Sequence, residues 1–346
     1  MKTTQITSDV GLGTTNMGGL TLSRLGQGKS AITPHVVEYA DAQYLVGPNI
    51  SDFGTSINQL DHSRFFIGGP AERAKLYATL GSLLGEGEHT LSMMVGLPVS
   101  VVIEKSQEAR SSLKSWMEDT HTFKFDGQQT TVHIERIHTI MQPVGTFFSW
   151  GLNDAGAWVQ SEYDPKANSY AEVAIGDIGF NTADTLVVRD GKPVRGKTAG
   201  EDIGTHTVSR LVQQMLKERY GAKFDLHTLD HLMRNGQDTI QIAAGEIDIK
   251  TLFNDAKQST AGRLLSFFSR DANWGNGQQF AKILFTGGGA KALAQYLLQG
   301  YPNAEVFSAM DNAIGLARFA RLFFNGAQVV AGYDPGYGFC KAVLLG

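Results

Sequence analysis

The spacing of apolar and polar residues divides the chain into strands and helices in turn. The first thirty residues, rich in Gly, Thr and Ser, lack sustained periodicity and predict irregular chain with room for one short strand. Strands are expected at 30–39 and 43–46, then a helix over 70–85 stopped by Gly85. The apolar run 90–98, closed by Gly96 and Pro98, suits a buried strand. Residues 104–118 predict a helix and 121–140 a hairpin whose second arm, 131–137, alternates at the two-residue period. A short helix near 145–153 and strands at 172–178 and 185–189 follow. Over 203–220, Val208, Leu211, Val212, Met215 and Leu216 recur at three- and four-residue steps and form one apolar stripe. Helices are expected to continue through 226–268. A strand at 281–286 runs into Gly287-Gly288-Gly289 and a helix at 290–299; a strand at 304–307, a helix at 312–324 and a strand at 328–333 complete the pattern. This alternation predicts α/β architecture with mixed sheets.

Composition narrows the classes. A chain of 346 residues has room for roughly two domains of ~150, and 42% hydrophobic with 18% charged residues is a globular composition. A net charge of −4 offers no field that favours nucleic acid or an anionic membrane, so direct DNA binding is not expected. Cys340 is the lone cysteine, which excludes an intrachain disulfide. The start of the chain lacks the apolar core of a signal peptide, no window approaches ~20 apolar residues, and no basic amphipathic terminus is present; a cytoplasmic protein with no membrane partner is expected. The nine histidines show no metal-ligand spacing.

Candidate chemistry lies in glycines at strand ends. Asp334-Pro335-Gly336-Tyr337-Gly338-Phe339-Cys340-Lys341 and Asp177-Ile178-Gly179-Phe180-Asn181-Thr182-Ala183-Asp184 each place an aspartate at the close of a strand and a glycine two residues on. A carboxylate there repels a phosphate but can hold waters of a hydrated Mg²⁺, while the glycines let backbone N–H groups cradle the anion. Lys341 adds a positive charge near the phosphates. The third segment is Gly287-Gly288-Gly289 at the opening of a helix.

These segments resemble the actin superfamily, especially the bacterial ParM-type plasmid-segregating actins. The Asp334 segment is similar to the family's first phosphate motif, the Asp177 segment to its second, Gly287-Gly288-Gly289-Ala290 to its adenosine motif, and Asp311-Asn312-Ala313-Ile314-Gly315-Leu316 to its second connecting helix. Gln43-Tyr44-Leu45-Val46-Gly47 and Met94-Val95-Gly96-Leu97-Pro98-Val99 look like segments that follow the first motif. In the family the first phosphate loop begins the chain, whereas here it comes last and the other motifs keep their order, as a circular permutation would produce. The resemblance implies an actin-like α/β fold of two ribonuclease-H-like domains around a nucleotide cleft, circularly permuted with the first phosphate-loop strand at the C-terminus. Domain I would comprise 1–158 plus 313–346, with its smaller subdomain at about 31–90, and domain II would comprise 159–312. Ser8-Asp9-Val10-Gly11-Leu12-Gly13 is a competing first loop, but 3–7 makes a poor central strand and no lysine follows at the matching place.

The resemblance also assigns roles. Gln142, in Met141-Gln142-Pro143-Val144-Gly145, matches the segment that orients the attacking water. Asp177 and Asp334 would organise the Mg²⁺ waters. The nucleotide, ATP or GTP, would be bound by Gly336, Tyr337, Gly338, Phe339 and Lys341, by Gly179, Phe180, Asn181 and Thr182, and by Gly287, Gly288 and Gly289. Lys217 and Glu218 would touch the base or ribose, though an exposed charged helix end explains them equally well. The implied function is an ATPase that assembles with itself into cytomotive filaments and segregates plasmid DNA through an adaptor protein bound to a centromere-like site. The alternative is a small-molecule kinase or phosphatase, or a non-filament ATPase, of the same superfold.

Overall fold

The computed structural model describes residues 1–7, 10–12, 34–47, 55–56, 68–161, 163, 171–243, 245–336 and 339–346. The sheet nearer the N-terminus draws on β1 (Lys2–Thr7), β2 (Val10–Leu12), β3 (His35–Tyr39), β4 (Ala42–Val46), β5 (Thr55–Ser56), β6 (Gly87–Leu97), β7 (Thr120–Phe125) and β8 (Gln128–Met141). The second sheet is built from β9 (Glu172–Ile178), β10 (Ala183–Arg189), β11 (Lys192–Pro193), β12 (Ala199–Glu201), β15 (Lys282–Thr286) and β16 (Ala304–Val306), with β13 (Thr239–Ile242) and β14 (Gly245–Asp248) as a separate hairpin. The chain then returns to the first sheet with β17 (Val330–Pro335) and β18 (Phe339–Leu345). The helices are α1 (Pro70–Leu84), α2 (Val99–Met117), α3 (Gln142–Gly151), α4 (Thr205–Tyr220), α5 (Leu226–Arg234), α6 (Ile249–Ser266), α7 (Gly287–Gly300) and α8 (Asp311–Phe323).

The two sheets share one core topology. In the first the order is β1-β18-β17-β6-β8, and in the second it is β11-β10-β9-β15-β16. In both, the first three strands pair antiparallel and the last two continue parallel from the central strand. The second sheet takes its three antiparallel strands from one stretch of chain. The first takes β17 and β18 from the end of the chain and the edge strand β1 from its beginning, with Lys2 opposite Leu344.

The central strands are covered on both faces, so β6, β9 and β17 carry runs of buried residues rather than alternating. On β6 every residue from Leu91 to Leu97 is buried. Met93 enters the core beneath α1 and α2, and Met94 the core beneath α8. Helix α3 covers the near face of the second sheet through Val144 and Phe147, and α4, α5, α6 and α7 cover its far face. Between the sheets, α3 and α8 cross backbone on backbone at Gly145 and Gly315. A Cβ on Gly315 would lie 1.6 Å from the carbonyl oxygen of Gly145, and one on Gly145 would lie 2.2 Å from that of Asn312.

Four expectations change. Residues 2–7 form a regular strand, because an edge position with one neighbour tolerates exposed polar residues while Ile6 is buried. The helix expected from 104 is preceded by a helical turn from Val99, joined to it through a kink at Lys105; the β-branched opening is weak by propensity, but Val99 and Val101 are buried. The helices expected over 226–268 are interrupted by the β13–β14 hairpin, whose four-residue arms are too short to show a period. The glycine triplet forms the first turn of α7 instead of a loop before it. Among the described residues no helix is long and apolar enough to cross a membrane.

Substituting Gly315→Ala should destabilise the protein by about 3 kcal/mol or more, the upper end of overpacking costs, because the clash is with backbone that cannot rotate away. Urea denaturation measures this; an unchanged midpoint would show that α3 and α8 separate freely.

Candidate functional site: paired strand-end loops in the cleft

The central strands of the two sheets end in loops of the same construction. Asp177 is the penultimate residue of β9, and Gly179 donates its N–H to the carbonyl of Thr182 at 2.8 Å. Asp334 is the penultimate residue of β17, and Gly336 donates to the carbonyl of Phe339 at 3.1 Å. A glycine two residues after each aspartate thus closes a tight turn. The residue facing each aspartate in the antiparallel ladder lies seven positions on: Asp184 opposite Asp177, and Lys341 opposite Asp334. The first loop therefore pairs a carboxylate with an ammonium, and the second pairs two carboxylates.

This difference sets the electrostatics. Lys341 Nζ donates to Asp334 Oδ2 at 2.7 Å, and both side chains are largely buried. Burial alone would pull the lysine down, but the carboxylates of Asp334 and Asp177 hold its pKa above the usual value. Asp177 is pushed up to about 6, first by burial and then by the charge of Asp334; Lys341 and a hydrogen bond from Asn312 oppose the rise. Asp184 is pushed up to about 7 by burial and by Asp177, although the backbone N–H of Val99 and the side chain of Thr182 hydrogen-bond it.

The connecting helices reach both loops. Asn312, the second residue of α8, donates from Nδ2 to Asp177 Oδ2 at 2.6 Å and accepts at Oδ1 from Thr146 Oγ1 of α3 at 2.8 Å. Gln142 opens α3 and is buried; its Nε2 donates to the carbonyl of Pro335 at 3.3 Å, which sets it against the loop after Asp334. Gly96 on β6 leaves room for it, since a Cβ there would lie 2.9 Å from Gln142 Cγ.

The start of α7 presses on the second loop. Gly287 has φ +88°, and a Cβ on it would lie 2.5 Å from Asp177 Oδ1. One on Gly289 would lie 2.5 Å from Ile178 Cγ2. The loop itself closes on α4: Thr205 and His206 donate backbone N–H groups to the carbonyls of Gly179 and Phe180 at 3.1 and 2.9 Å, and Gly204 lets the backbone at Phe180 and Asn181 pass close.

Asp177, Asp334, Lys341, Gln142, Gly179, Gly336 and Gly287 are thus brought together. Phe339 sits at the turn of the first loop and faces the guanidinium of Arg234, 5.6 Å from the ring centroid. Lys217 lies in the last turn of α4, lining a pocket of about 370 Å³ with Arg210, Gln213, Gln214, Lys223 and Phe224. Glu218 is exposed and accepts from Gln214 Nε2 at 2.8 Å. Tyr337, Gly338 and Asp9 lie outside the described residues. Among the described residues, no three His, Cys, Asp or Glu side chains are grouped to hold a metal ion directly. Two residues at the site escaped the sequence reading. Asn312 was visible only as part of a helix-opening Asp-Asn pair, and Arg234 had no local signal at all.

Two sheets of one topology, bridged by touching helices and presenting matched Asp-x-Gly turns to each other, define an actin-like fold. Comparison with known proteins agrees. The family model for the N-terminal domain of actin-like proteins matches residues 2–145, and that for the C-terminal part of the MreB-like archaeal actin homologues matches 175–299. The chain belongs to the actin-like proteins. Among solved structures it is similar to apo pSK41 ParM (TM-score 0.66, 15% identity, covering 92% of this chain and 90% of that one). It is also similar to ParM in a 15-stranded filament from Clostridium botulinum (0.67, 20%, 90% and 91%). A third is the archaeal actin homologue Ta0583 in complex with ADP (0.65, 15%, 83% and 89%). At these identities the likeness is one of fold. No functionally curated protein matches the chain significantly by sequence.

The raised pKa of Asp184 has a testable sign. Below the usual 3.8 the group is neutral in both folded and unfolded chains and costs nothing. Between there and about 7 the unfolded chain ionises first, so folding is progressively penalised, and above about 7 the penalty is complete. Asp184→Asn should therefore raise the melting temperature most at pH 8 and only slightly at pH 4. A pH-independent difference in thermal melts would contradict this.

Proposed function

We propose that this chain is a nucleotide-dependent polymerising ATPase of the ParM type, whose filaments segregate plasmid DNA through an adaptor protein bound to a centromere-like site. The reading is carried by one observation: two matched Asp-x-Gly turns, the lysine of one of them, the first residue of α3 and the glycine-rich start of α7 meet at one place between the two sheets. Glycine-closed turns and a helix N-terminus offer backbone N–H groups to phosphates. Complexes with ADP and filaments among proteins of the same fold support nucleotide binding and self-assembly here.

On this reading Gly336, Tyr337, Gly338, Phe339 and Lys341 hold the phosphates of ATP or GTP from one side. Gly179, Phe180, Asn181 and Thr182 hold them from the other, with Gly287, Gly288 and Gly289 at the adenosine and Lys217 and Glu218 at the base or ribose. Asp177 and Asp334 suit a hydrated Mg²⁺. Burial first, and then the charge of Asp334, raise Asp177, and a cation held through water would offset both. Mg²⁺ bound there would neutralise phosphate charge. Gln142, fixed at the start of α3 beside the Asp334 loop, orients the attacking water through its amide.

The chain is read as a circular permutation of the actin fold. Joining β18 to β1 would give the first sheet the same chain order as the second, and the pairing of Lys2 with Leu344 places those ends side by side. Domain I is assigned to 1–158 plus 313–346 and domain II to 159–312.

Light scattering and pelleting should show assembly with Mg-ATP or Mg-GTP and little without nucleotide; a protein that stays monomeric at high concentration with either would sink the filament reading. Gln142→Ala should lower hydrolysis at least about tenfold while nucleotide binding is kept, as for loss of a positioning group. Unchanged turnover in a phosphate-release assay would remove Gln142 from this role.

A further inference from the structure

We infer that Arg234 is a phosphate ligand of the nucleotide, held across the mouth of the cleft by Asp230 and by the ring of Phe339; the inference rests on the nucleotide-binding reading above. Arg234 is the last residue of α5, on the side of the second sheet. Its guanidinium reaches two separate parts of the site. Nη1 lies 3.0 Å from where a Cβ on Gly288 would stand, so the absent side chain of the triplet's middle glycine is what admits it. The guanidinium carbon also lies 5.6 Å from the ring centroid of Phe339, on the loop of Asp334 and Lys341. One side chain of the second half thus touches the phosphate loop of the first.

The donors are arranged for an anion. Nε donates to Asp230 Oδ2 at 2.5 Å, whereas among the described residues Nη1 and Nη2 have no hydrogen-bond acceptor. The other oxygen of Asp230 is buried without a partner among the described residues. An i,i+4 Asp–Arg pair on a helix is ordinarily a weak surface contact. Here the side chains are 30% and 14% exposed, and the guanidinium of Arg234, an exposed residue, lies beside Gly288 and the ring of Phe339. Charge balance points the same way. At the paired turns Asp177 and Asp334 face a single ammonium, Lys341. A triphosphate adds further negative charge, and the fork of a guanidinium matches phosphate oxygens in pairs.

The test is calorimetric titration of ATP, ADP and adenosine, with Mg²⁺, into the wild type, Arg234→Ala and Arg234→Lys. Arg234→Ala should weaken ATP by about tenfold to a hundredfold, the range for a charge-assisted hydrogen bond, and leave adenosine unchanged. Arg234→Lys should recover part of the loss, since it restores charge without the fork. Equal losses for ATP and adenosine would overturn the inference, because they indicate a contact to the base or a purely structural role. Undiminished ATP affinity in Arg234→Ala would overturn it as well, while leaving the nucleotide-binding reading intact. If the wild type binds none of the three, the nucleotide-binding reading itself fails.

Discussion

The contact on which the rest of the structure depends is backbone on backbone: α3 against α8 at Gly145 and Gly315. Each helix covers the inner face of one sheet, α8 the first and α3 the second. Side chains at the crossing would push the helices apart and carry the sheets with them. Gly332 repeats the device one layer out, since a Cβ there would lie 2.3 Å from both Ala313 O and Ala317 N of α8. These close approaches hold the ends of β9 and β17 near enough for the charge of Asp334 to be felt by Asp177.

Proximity then creates the chemistry. Two carboxylates in one partly desolvated space cannot both ionise cheaply, and the ladder supplies a compensating ammonium to only one of them. Asn312 satisfies the other with a neutral donor and is itself fixed by Thr146, so a single chain of hydrogen bonds links α3, α8 and the second loop. Any change at the helix crossing should register in the ionisation of Asp177 as well as in stability.

The matched turns also show how one construction serves two roles. Both halves use aspartate, then glycine two residues on, then a facing residue seven on, yet the facing residue is Lys341 in one and Asp184 in the other. The lysine pairs with Asp334 within its own loop. Asp184 instead accepts from the backbone of Val99 at the start of α2, which ties the second sheet to a helix of the first. Equivalent positions in a repeated topology thus hold an ion-pairing group in one half and a lobe-joining group in the other.

Much of this was legible in the sequence, because local chemistry was enough to determine it. Apolar runs ended by glycine fixed β6, β9 and β17 closely, and the Asp-x-Gly spacing picked out both turns, since tight turns and anion cradles need those residues wherever they occur. Gln142 was singled out only by the resemblance of Met141-Gln142-Pro143-Val144-Gly145 to a family segment. What the sequence could not carry was anything decided by a distant partner. Residues 2–7 look irregular until β18 lies beside them, and the β-branched start of α2 looks like strand until its valines are buried. Asp184 is an ordinary strand residue until the fold sets it opposite Asp177. Arg234 belongs to the site only because α5 ends beside Gly288 and Phe339, which lie 54 and 105 residues further along the chain. The sequence by itself determined which strands end in glycine turns; tertiary structure alone decided which charges face one another there, because Coulombic and steric contacts depend on distance in space and not along the chain.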